Sequence, residues 1–92
     1  MEFEWDETKA AENVRIHAVS FAHAALAFHD PFAVEWIDVR EEYGEERIIL
    51  LGMTGSQLLN VVYTERGERI RIISARRATR SEQDLYYREN AP

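Results

Sequence analysis

The sequence predicts an α+β fold with two N-terminal helices, a four-stranded, mainly antiparallel sheet and a C-terminal helix. Three observations predict this class. Helix-capping residues and apolar residues at helical spacing occupy the first thirty positions. Four segments with strand-like patterns follow, separated by short turns. A capping-box pattern, Thr79-Arg80-Ser81-Glu82, then begins the last helix. We expect the helices to pack on one face of the sheet.

The N-terminal third should contain both of the first two helices. Glu2 to Trp5 is expected to form a short strand or an extended lead-in. Asp6 is the N-cap expected for a helix that ends at about Ile16. The second helix should begin after the N-cap Ser20 and stop at Asp30-Pro31, because proline disfavours helix in the residue before it. Its apolar face recurs at i, i+3, i+4 and i+7: Phe21, Ala24, Ala25 and Phe28.

The remaining residues predict the sheet and the last helix. Strands are expected over residues 33–40, 47–53, 58–64 and 69–75, with an acidic turn over residues 41–46. Gly67 should supply a positive φ in the hairpin loop between the last two strands. The final helix should end at about Arg88.

Length and composition predict one domain covering residues 1–92. The chain has no cysteine, which excludes disulfides, thiolate metal sites and a cysteine nucleophile. No apolar run approaches the ~20 residues of a membrane helix. The N-terminus also lacks the basic and apolar regions of a signal peptide. We therefore expect a cytoplasmic protein without a membrane contact.

Charge is unevenly distributed along the chain. Residues 1–46 carry three basic and twelve acidic side chains, whereas residues 47–92 carry eight basic and five acidic ones. A protein that binds nucleic acid by general attraction would be basic overall, so any phosphate contact here should be local. The acidic half is suited to a basic protein partner.

Arginine is concentrated in the stretch from Arg69 to Arg80, which holds five of the ten arginines. Guanidinium groups gathered at a strand end suggest a phosphate site, although solvated arginines on an open sheet face would give the same pattern. Period-2 alternation places Arg76 on the same face as Ile70 and Ile72. It should then be partly buried and need a carboxylate or phosphate partner, while Arg69 and Arg71 point outward.

Several chemistries lack the residues they require. The four glycines stand alone, so no phosphate-binding glycine loop is present. His17, His23 and His29 lie six residues apart, a spacing that does not bring them to one helix face, so we expect neither a metal nor a cofactor. RNA cleavage needs only a base, an acid and cations that stabilise phosphate charge. An aromatic residue such as Trp5 would either stack a base or cover the core.

Four segments give the chain a family resemblance over nearly its whole length. The segments are Phe3-Glu4-Trp5-Asp6 with Lys9 and Asn13; His17-Ala18-Val19-Ser20-Phe21 with Ala24, Phe28 and Asp30; Gly44-Glu45-Glu46-Arg47 with Gly52; and 61–66 with 69–76, Ala78 and Glu82. In these segments the chain resembles the BrnT family of type II toxins. It departs from the family at Ile16, where lysine is usual, and at Ala18, where glycine is usual.

The resemblance implies a RelE-like fold and a metal-independent endoribonuclease that cleaves RNA and inhibits translation. It also implies a BrnA-type antitoxin with a ribbon-helix-helix part, so that DNA is contacted only through the antitoxin. A homodimer or a 2:2 heterotetramer is then expected. The alternative is a non-catalytic interaction module, which binds an antitoxin through its arginines and contributes to regulation of the operon.

The resemblance further implies roles for particular residues. Arg76 and Arg66 should stabilise phosphate charge, with Glu68 or His17 as the base. The expected RNA-binding residues are Trp5, Lys9 and Arg77.

Overall fold

The computed structural model describes residues 1–40, 42 and 44–92, so positions 41 and 43 of the predicted acidic turn lie outside the described residues. The elements, in chain order, are β1 (Glu2–Glu4), α1 (Glu7–His17), α2 (Phe21–Ala25), a 3₁₀ helix (Leu26–His29), β2 (Val34–Ile37), β3 (Ile48–Thr54), β4 (Gln57–Arg66), β5 (Arg69–Arg77) and α3 (Arg80–Glu89). The three predicted N-caps are confirmed: the side chains of Asp6, Ser20 and Thr79 each accept a backbone N–H from the first turn. Gly67 has the expected positive φ.

The prediction of a four-stranded, mainly antiparallel sheet is wrong. The sheet has five strands in the order β1-β5-β4-β3-β2, and it is mixed because β1 pairs in parallel with β5. β1 has only three residues, too few for a periodic signal. It joins the sheet with Phe3 opposite Ile70, and the Phe3 ring packs edge-on against Phe28 at 5.1 Å. Burial of this aromatic side chain stabilises the short strand.

The prediction of two full N-terminal helices is also wrong. α2 has five residues and continues as the 3₁₀ helix. This tighter turn lies directly on β3 at Gly52, where a Cβ atom would stand 2.5 Å from the Ala27 carbonyl oxygen. Glycine is therefore required for the close approach of the two backbones.

Helices cover both faces of the sheet, so the prediction of helices on one face is wrong. We call the face covered by α2 and the 3₁₀ helix face A; its core includes Phe21, Leu59 and Ile72. On the opposite face, face B, Tyr86 of α3 packs with residues of β3 and β4. Its hydroxyl donates to the Asp30 carboxylate at 2.6 Å, which ties α3 to the loop before β2. The predicted RelE-like arrangement is thus replaced by a mixed five-stranded sheet between helical layers.

A β-bulge in β5 changes which side chains share a face. Val62 pairs with Ser74 while the next residue, Tyr63, pairs with Ile72, so Ile73 is an extra residue on β5. Beyond Ile73 the alternation is shifted by one position. Arg76 pairs with Asn60 and therefore lies on face B, opposite to Ile72. The prediction that Arg76 shares a face with Ile70 and Ile72 is wrong for this reason.

The end of α1 carries a strained residue. Ala18 has φ 57° and ψ 30°, the left-handed conformation in which a side chain costs roughly 1–2 kcal/mol. We expect Ala18→Gly to raise the free energy of unfolding by about 1 kcal/mol, measured by urea denaturation. Ala11→Gly makes the same change at an exposed position inside α1 and should lower stability by a similar amount. A loss of stability in both variants would contradict the strain at Ala18.

Candidate functional site

Three arginines of β5 lie in a row on face B as a result of the bulge. Arg69, Arg71 and Arg76 pair with residues 66, 64 and 60 of β4, which all share that face. We call these three residues the arginine row. Each makes an ion pair: Arg69 with Glu2 at 3.3 Å, Arg71 with Glu4 at 2.7 Å, and Arg76 with Glu82 at 2.8 Å. The carboxylates hold the guanidinium groups in place on the sheet.

Arg76 is the most firmly held member of the row. Its two terminal nitrogens donate to the two oxygens of Glu82, at 2.8 and 2.9 Å, in a bidentate pair. The Glu82 carboxylate also accepts from the Thr79 backbone N–H at 2.8 Å and from Asn60 Nδ2 at 2.9 Å. The Arg76 side chain is 36 % exposed and that of Glu82 only 17 %. Arg76 is therefore fixed in orientation and still open to a solvent-borne phosphate.

Glu82 remains ionised over the whole physiological range. Burial alone would raise the pKa of this carboxyl group, but the hydrogen bonds from Arg76 and Thr79 outweigh it and lower the pKa to about 2. A carboxylate with so low a pKa does not transfer protons near neutral pH. Its two oxygens orient the Arg76 guanidinium through the bidentate pair.

The lowered pKa predicts a pH dependence of stability. The stabilising contribution of Glu82 is complete above its ordinary pKa of 4.5 and is lost as the pH falls towards 2. We expect Glu82→Gln to lower the free energy of unfolding at neutral pH by about 2 kcal/mol. The variant should also lose less stability than the wild type across this acid window. Urea denaturation at both ends of the window measures this.

Glu89→Gln is the matched control, because it removes an exposed charge from the same helix. It should leave both the stability and its pH dependence unchanged. Equal acid sensitivity in the wild type and Glu82→Gln would contradict the assignment.

Asn13 attaches α1 to the edge of β5. β1 pairs only with residues 69–71, so Ala75 lies on β5 beyond the end of β1. The Asn13 amide takes the place of a neighbouring strand: its nitrogen donates to the Ala75 carbonyl at 2.8 Å, and its oxygen accepts the Ala75 N–H at 3.2 Å. The same nitrogen donates to the Val19 carbonyl at 2.9 Å.

Two of the predicted site residues lie on this face of α1. Lys9 and His17 are each four residues from Asn13, one turn to either side, and both are exposed. Asn13 contacts Ala75, the residue that precedes Arg76 on β5. His17 is the last residue of α1, where the helix dipole favours a cation.

Arg66 and Glu68 lie at the other end of β5. Arg66 pairs with Arg69, whereas Asn60 pairs with Arg76, and six residues of β4 separate these positions by roughly 20 Å. Arg66 contacts Glu45 at 3.8 Å, and Glu68 is an exposed residue of the β4–β5 turn. The structure therefore does not bring Arg66 and Glu68 to the same phosphate as Arg76.

Trp5 lies on the other side of the sheet from Arg76. Its ring packs edge-on against Phe21 at 6.0 Å, and its Nε1 donates to Glu7 at 3.1 Å. These contacts match the structural role, in which the indole covers the core. Arg77 is exposed and pairs with Leu59, a face A position, so it points away from the arginine row.

The described residues show no metal site among the histidines and no predicted site residue in the cleft beside the 3₁₀ helix. His17, His23 and His29 lie on three different elements, and no group of three or more His, Asp or Glu side chains among the described residues is placed to hold a metal ion. A cleft of about 680 Å³ between the 3₁₀ helix and α3 is mainly apolar and contains none of the predicted site residues. None of the helices in the described ranges has the length and apolarity to cross a bilayer.

Two residues that support the site were not predicted to belong to it. The capping-box pattern located Glu82 but gave no sign of its pairing with Arg76, six positions earlier. Asn13 belonged to the first of the family segments, but no role in the site was predicted for it. A polar residue on the inner side of a helix, as Asn13 is relative to Ala10, is the signal that a buried hydrogen bond is required.

Comparison with protein families gives a match over residues 5–82 to the ribonuclease toxin BrnT of type II toxin–antitoxin systems. A search of the curated proteins found no match. The matched segment begins at Trp5 and ends at Glu82, so it includes Asn13, the arginine row and the Arg76–Glu82 pair. It covers most of the chain and confirms the resemblance seen in the residues. The chain belongs to the BrnT family of ribonuclease toxins of type II toxin–antitoxin systems.

Proposed function

We propose that this chain is a metal-independent endoribonuclease that cleaves single-stranded RNA in the cytoplasm and thereby inhibits translation. The observation that carries the proposal is the fixed, partly exposed guanidinium of Arg76, held by an ionised Glu82 within the family-matched segment. A planar guanidinium is suited to the phosphate oxygens of RNA. Because Glu82 positions it in advance, little reorganisation is needed when charge develops on the phosphate.

The proposed reaction is an intramolecular attack. A base removes the proton of the ribose 2′-hydroxyl, the 2′-oxygen attacks the adjacent phosphorus, and an acid protonates the departing 5′-oxygen. The products are a 2′,3′-cyclic phosphate and a 5′-hydroxyl end. Arg76 stabilises the additional negative charge of the pentacoordinate phosphate.

His17 is the base that best fits this geometry. It lies one helical turn from Asn13, which contacts the residue before Arg76, whereas Glu68 lies in the turn about 20 Å away. Lys9, on the same face of α1, would bind a neighbouring phosphate. Arg71 lies on face B with Arg76 and extends the RNA-binding surface along β5, whereas Arg66 and Glu68 are too distant to act on the same phosphate.

A BrnA-type antitoxin with a ribbon-helix-helix part is the proposed partner. A type II toxin–antitoxin family implies an antitoxin in general. DNA would be contacted only through this partner, in a 2:2 assembly. The acidic character of residues 1–46 supports a basic protein partner rather than direct DNA binding.

The proposal is tested by growth and by cleavage in vitro. Induced expression of the chain alone should arrest growth with loss of total RNA. The purified protein should cleave single-stranded RNA in the presence of EDTA. An oligonucleotide with a 2′-deoxy substitution at the cleaved position should not be cleaved, because the attacking 2′-oxygen is absent. Cleavage that requires a divalent cation, or that tolerates the 2′-deoxy substitution, would contradict the mechanism.

A non-catalytic interaction module is the second candidate. The pairing of all three arginines of the row with carboxylates supports it, since the same groups could bind acidic residues of an antitoxin. A folded chain that binds its antitoxin but neither arrests growth nor cleaves RNA would favour this function.

A further inference from the structure

The free edge of the sheet at β2 has the properties of a strand-docking site. In the described part of the chain, β2 is the last strand on its side of the sheet. Ile37, the last residue of this strand, is 51 % exposed, and Val39, two residues beyond it, is 83 % exposed. Exposed apolar residues beside an unpaired edge are a liability that proteins usually cover.

The backbone of β2 presents hydrogen-bonding groups at this edge. The Asp38 N–H donates to the Arg47 carbonyl at 2.8 Å, so Asp38 and Arg47 form a hydrogen-bonded pair of the β2–β3 ladder. In an antiparallel ladder these pairs alternate, and the N–H and C=O groups of the residues between them point the other way. The N–H and C=O groups of Glu35 and Ile37 therefore point outward, where a further strand could bind.

The charge around this edge indicates the kind of partner. Among the described residues of 34–47, five side chains are acidic and two are basic. A second copy of the chain would bring two such acidic segments together, which disfavours a homodimer through β2. An extended segment that alternates apolar and basic residues would cover Ile37 and Val39 and balance the acidic charge.

We infer that the β2 edge binds an extended, basic segment of the antitoxin, which adds to the sheet as a sixth strand. The inference rests on the proposed function, since it takes the antitoxin as the partner. Main-chain hydrogen bonds to Glu35 and Ile37 provide affinity, and the apolar and acidic side chains provide specificity. The edge is separate from the arginine row, because β3 and β4 lie between β2 and β5.

Hydrogen exchange of the β2 amides tests the edge directly. The probe is the antitoxin encoded in the same operon, purified with the chain and compared with the chain alone. The amide hydrogens of Glu35 and Ile37 should exchange at least about tenfold more slowly in the complex than in the chain alone. The amide of Trp36 already faces β3 and serves as the internal reference. Unchanged exchange at Glu35 and Ile37, or failure of the two proteins to form a complex, would overturn the inference.

Ile37→Pro tests the same edge by removing an outward N–H. Proline is tolerated on an edge strand when its missing N–H faces solvent, so the chain alone should still fold. The variant should bind the antitoxin about tenfold or more weakly than the wild type does. The affinity for the antitoxin should also fall as the salt concentration rises, because salt screens the attraction between opposite charges. If the proline variant does not fold, Ile37→Lys provides the test, because it adds a positive charge against a basic segment.

Ile16→Lys is the matched control, since Ile16 is 54 % exposed on α1, away from β2. It should leave the affinity for the antitoxin unchanged. Unchanged affinity in the folded Ile37 variants would overturn the inference. RNA cleavage by the Ile37 variants alone should equal that of the wild type. If the wild-type chain cleaves no RNA, the proposed activity fails, while the exchange and affinity measurements still decide the role of the β2 edge.

Discussion

Replacing Arg76 by alanine is expected to lower RNA cleavage by about 10²- to 10³-fold and to remove growth arrest, with the fold retained. The loss is large because Arg76 is the member of the arginine row that the structure fixes most firmly, through the bidentate pair with Glu82. Removing it leaves the developing charge on the phosphate without a preorganised donor. Initial rates on single-stranded RNA, measured beside growth curves, give the size of the effect.

The fold of Arg76→Ala should survive because Glu82 keeps two other donors. The Thr79 N–H and Asn60 Nδ2 still satisfy one oxygen each. Circular dichroism and urea denaturation would confirm that the variant is folded. Loss of activity in an unfolded variant would say nothing about catalysis, so this measurement accompanies the kinetics.

Two further variants separate geometry from charge. Arg76→Lys keeps the positive charge but loses the planar fork, so it should recover little of the activity. Arg80→Ala removes an arginine that is 88 % exposed on α3 and should cleave at the wild-type rate. Full activity in folded Arg76→Ala, or equal losses in Arg76→Ala and Arg80→Ala, would remove Arg76 from the site.

The sequence predicted the elements of the fold better than their arrangement. N-caps depend on hydrogen bonds within one turn, so Asp6, Ser20 and Thr79 could be recognised from local sequence. The parallel pairing of β1 with β5 joins residues nearly seventy positions apart, and three residues carry no periodic signal for it. The side of the sheet that α3 covers is likewise decided by packing of Tyr86 against β3 and β4.

The bulge explains why the site was only partly predictable. An uninterrupted strand would separate Arg76 from Arg71. The alternation of charged and apolar residues breaks at Ile72-Ile73, a signal too short to be read as a bulge from the sequence alone. The extra residue Ile73 reverses this relationship and places the two arginines on one face. Arg66 and Glu68 are distant from Arg76 because they lie at and just before the start of β5, whereas Arg76 lies near its C-terminal end.

Asn13→Ala is expected to have the largest effect on stability. Asn13 is buried, and its amide satisfies the N–H and C=O of Ala75 and the C=O of Val19. Alanine would leave three backbone groups without partners, and each buried unsatisfied group costs roughly 1–3 kcal/mol. A total loss of about 3 kcal/mol is a large part of the stability of a small domain and should lower the Tm by roughly 15 °C.

Asn90→Ala is the matched control for this prediction. The Asn90 side chain also donates to two backbone carbonyls, those of Phe32 and Tyr86, but the residue is exposed. Water can replace these hydrogen bonds, so the loss should stay below about 1 kcal/mol. Thermal and urea denaturation of the two variants, compared with the wild type, measure the difference. A smaller loss for Asn13→Ala than for Asn90→Ala would show that other contacts hold α1 on β5.

The variant Asn13→Ala also links the fold to the site. If Asn13 holds α1 at the edge of β5, its removal should let His17 and Lys9 move relative to Arg76. RNA cleavage by Asn13→Ala, measured well below its lowered Tm, should then fall although every proposed active-site residue is present. Wild-type cleavage by the folded fraction would contradict the proposal that His17 acts as the base beside Arg76.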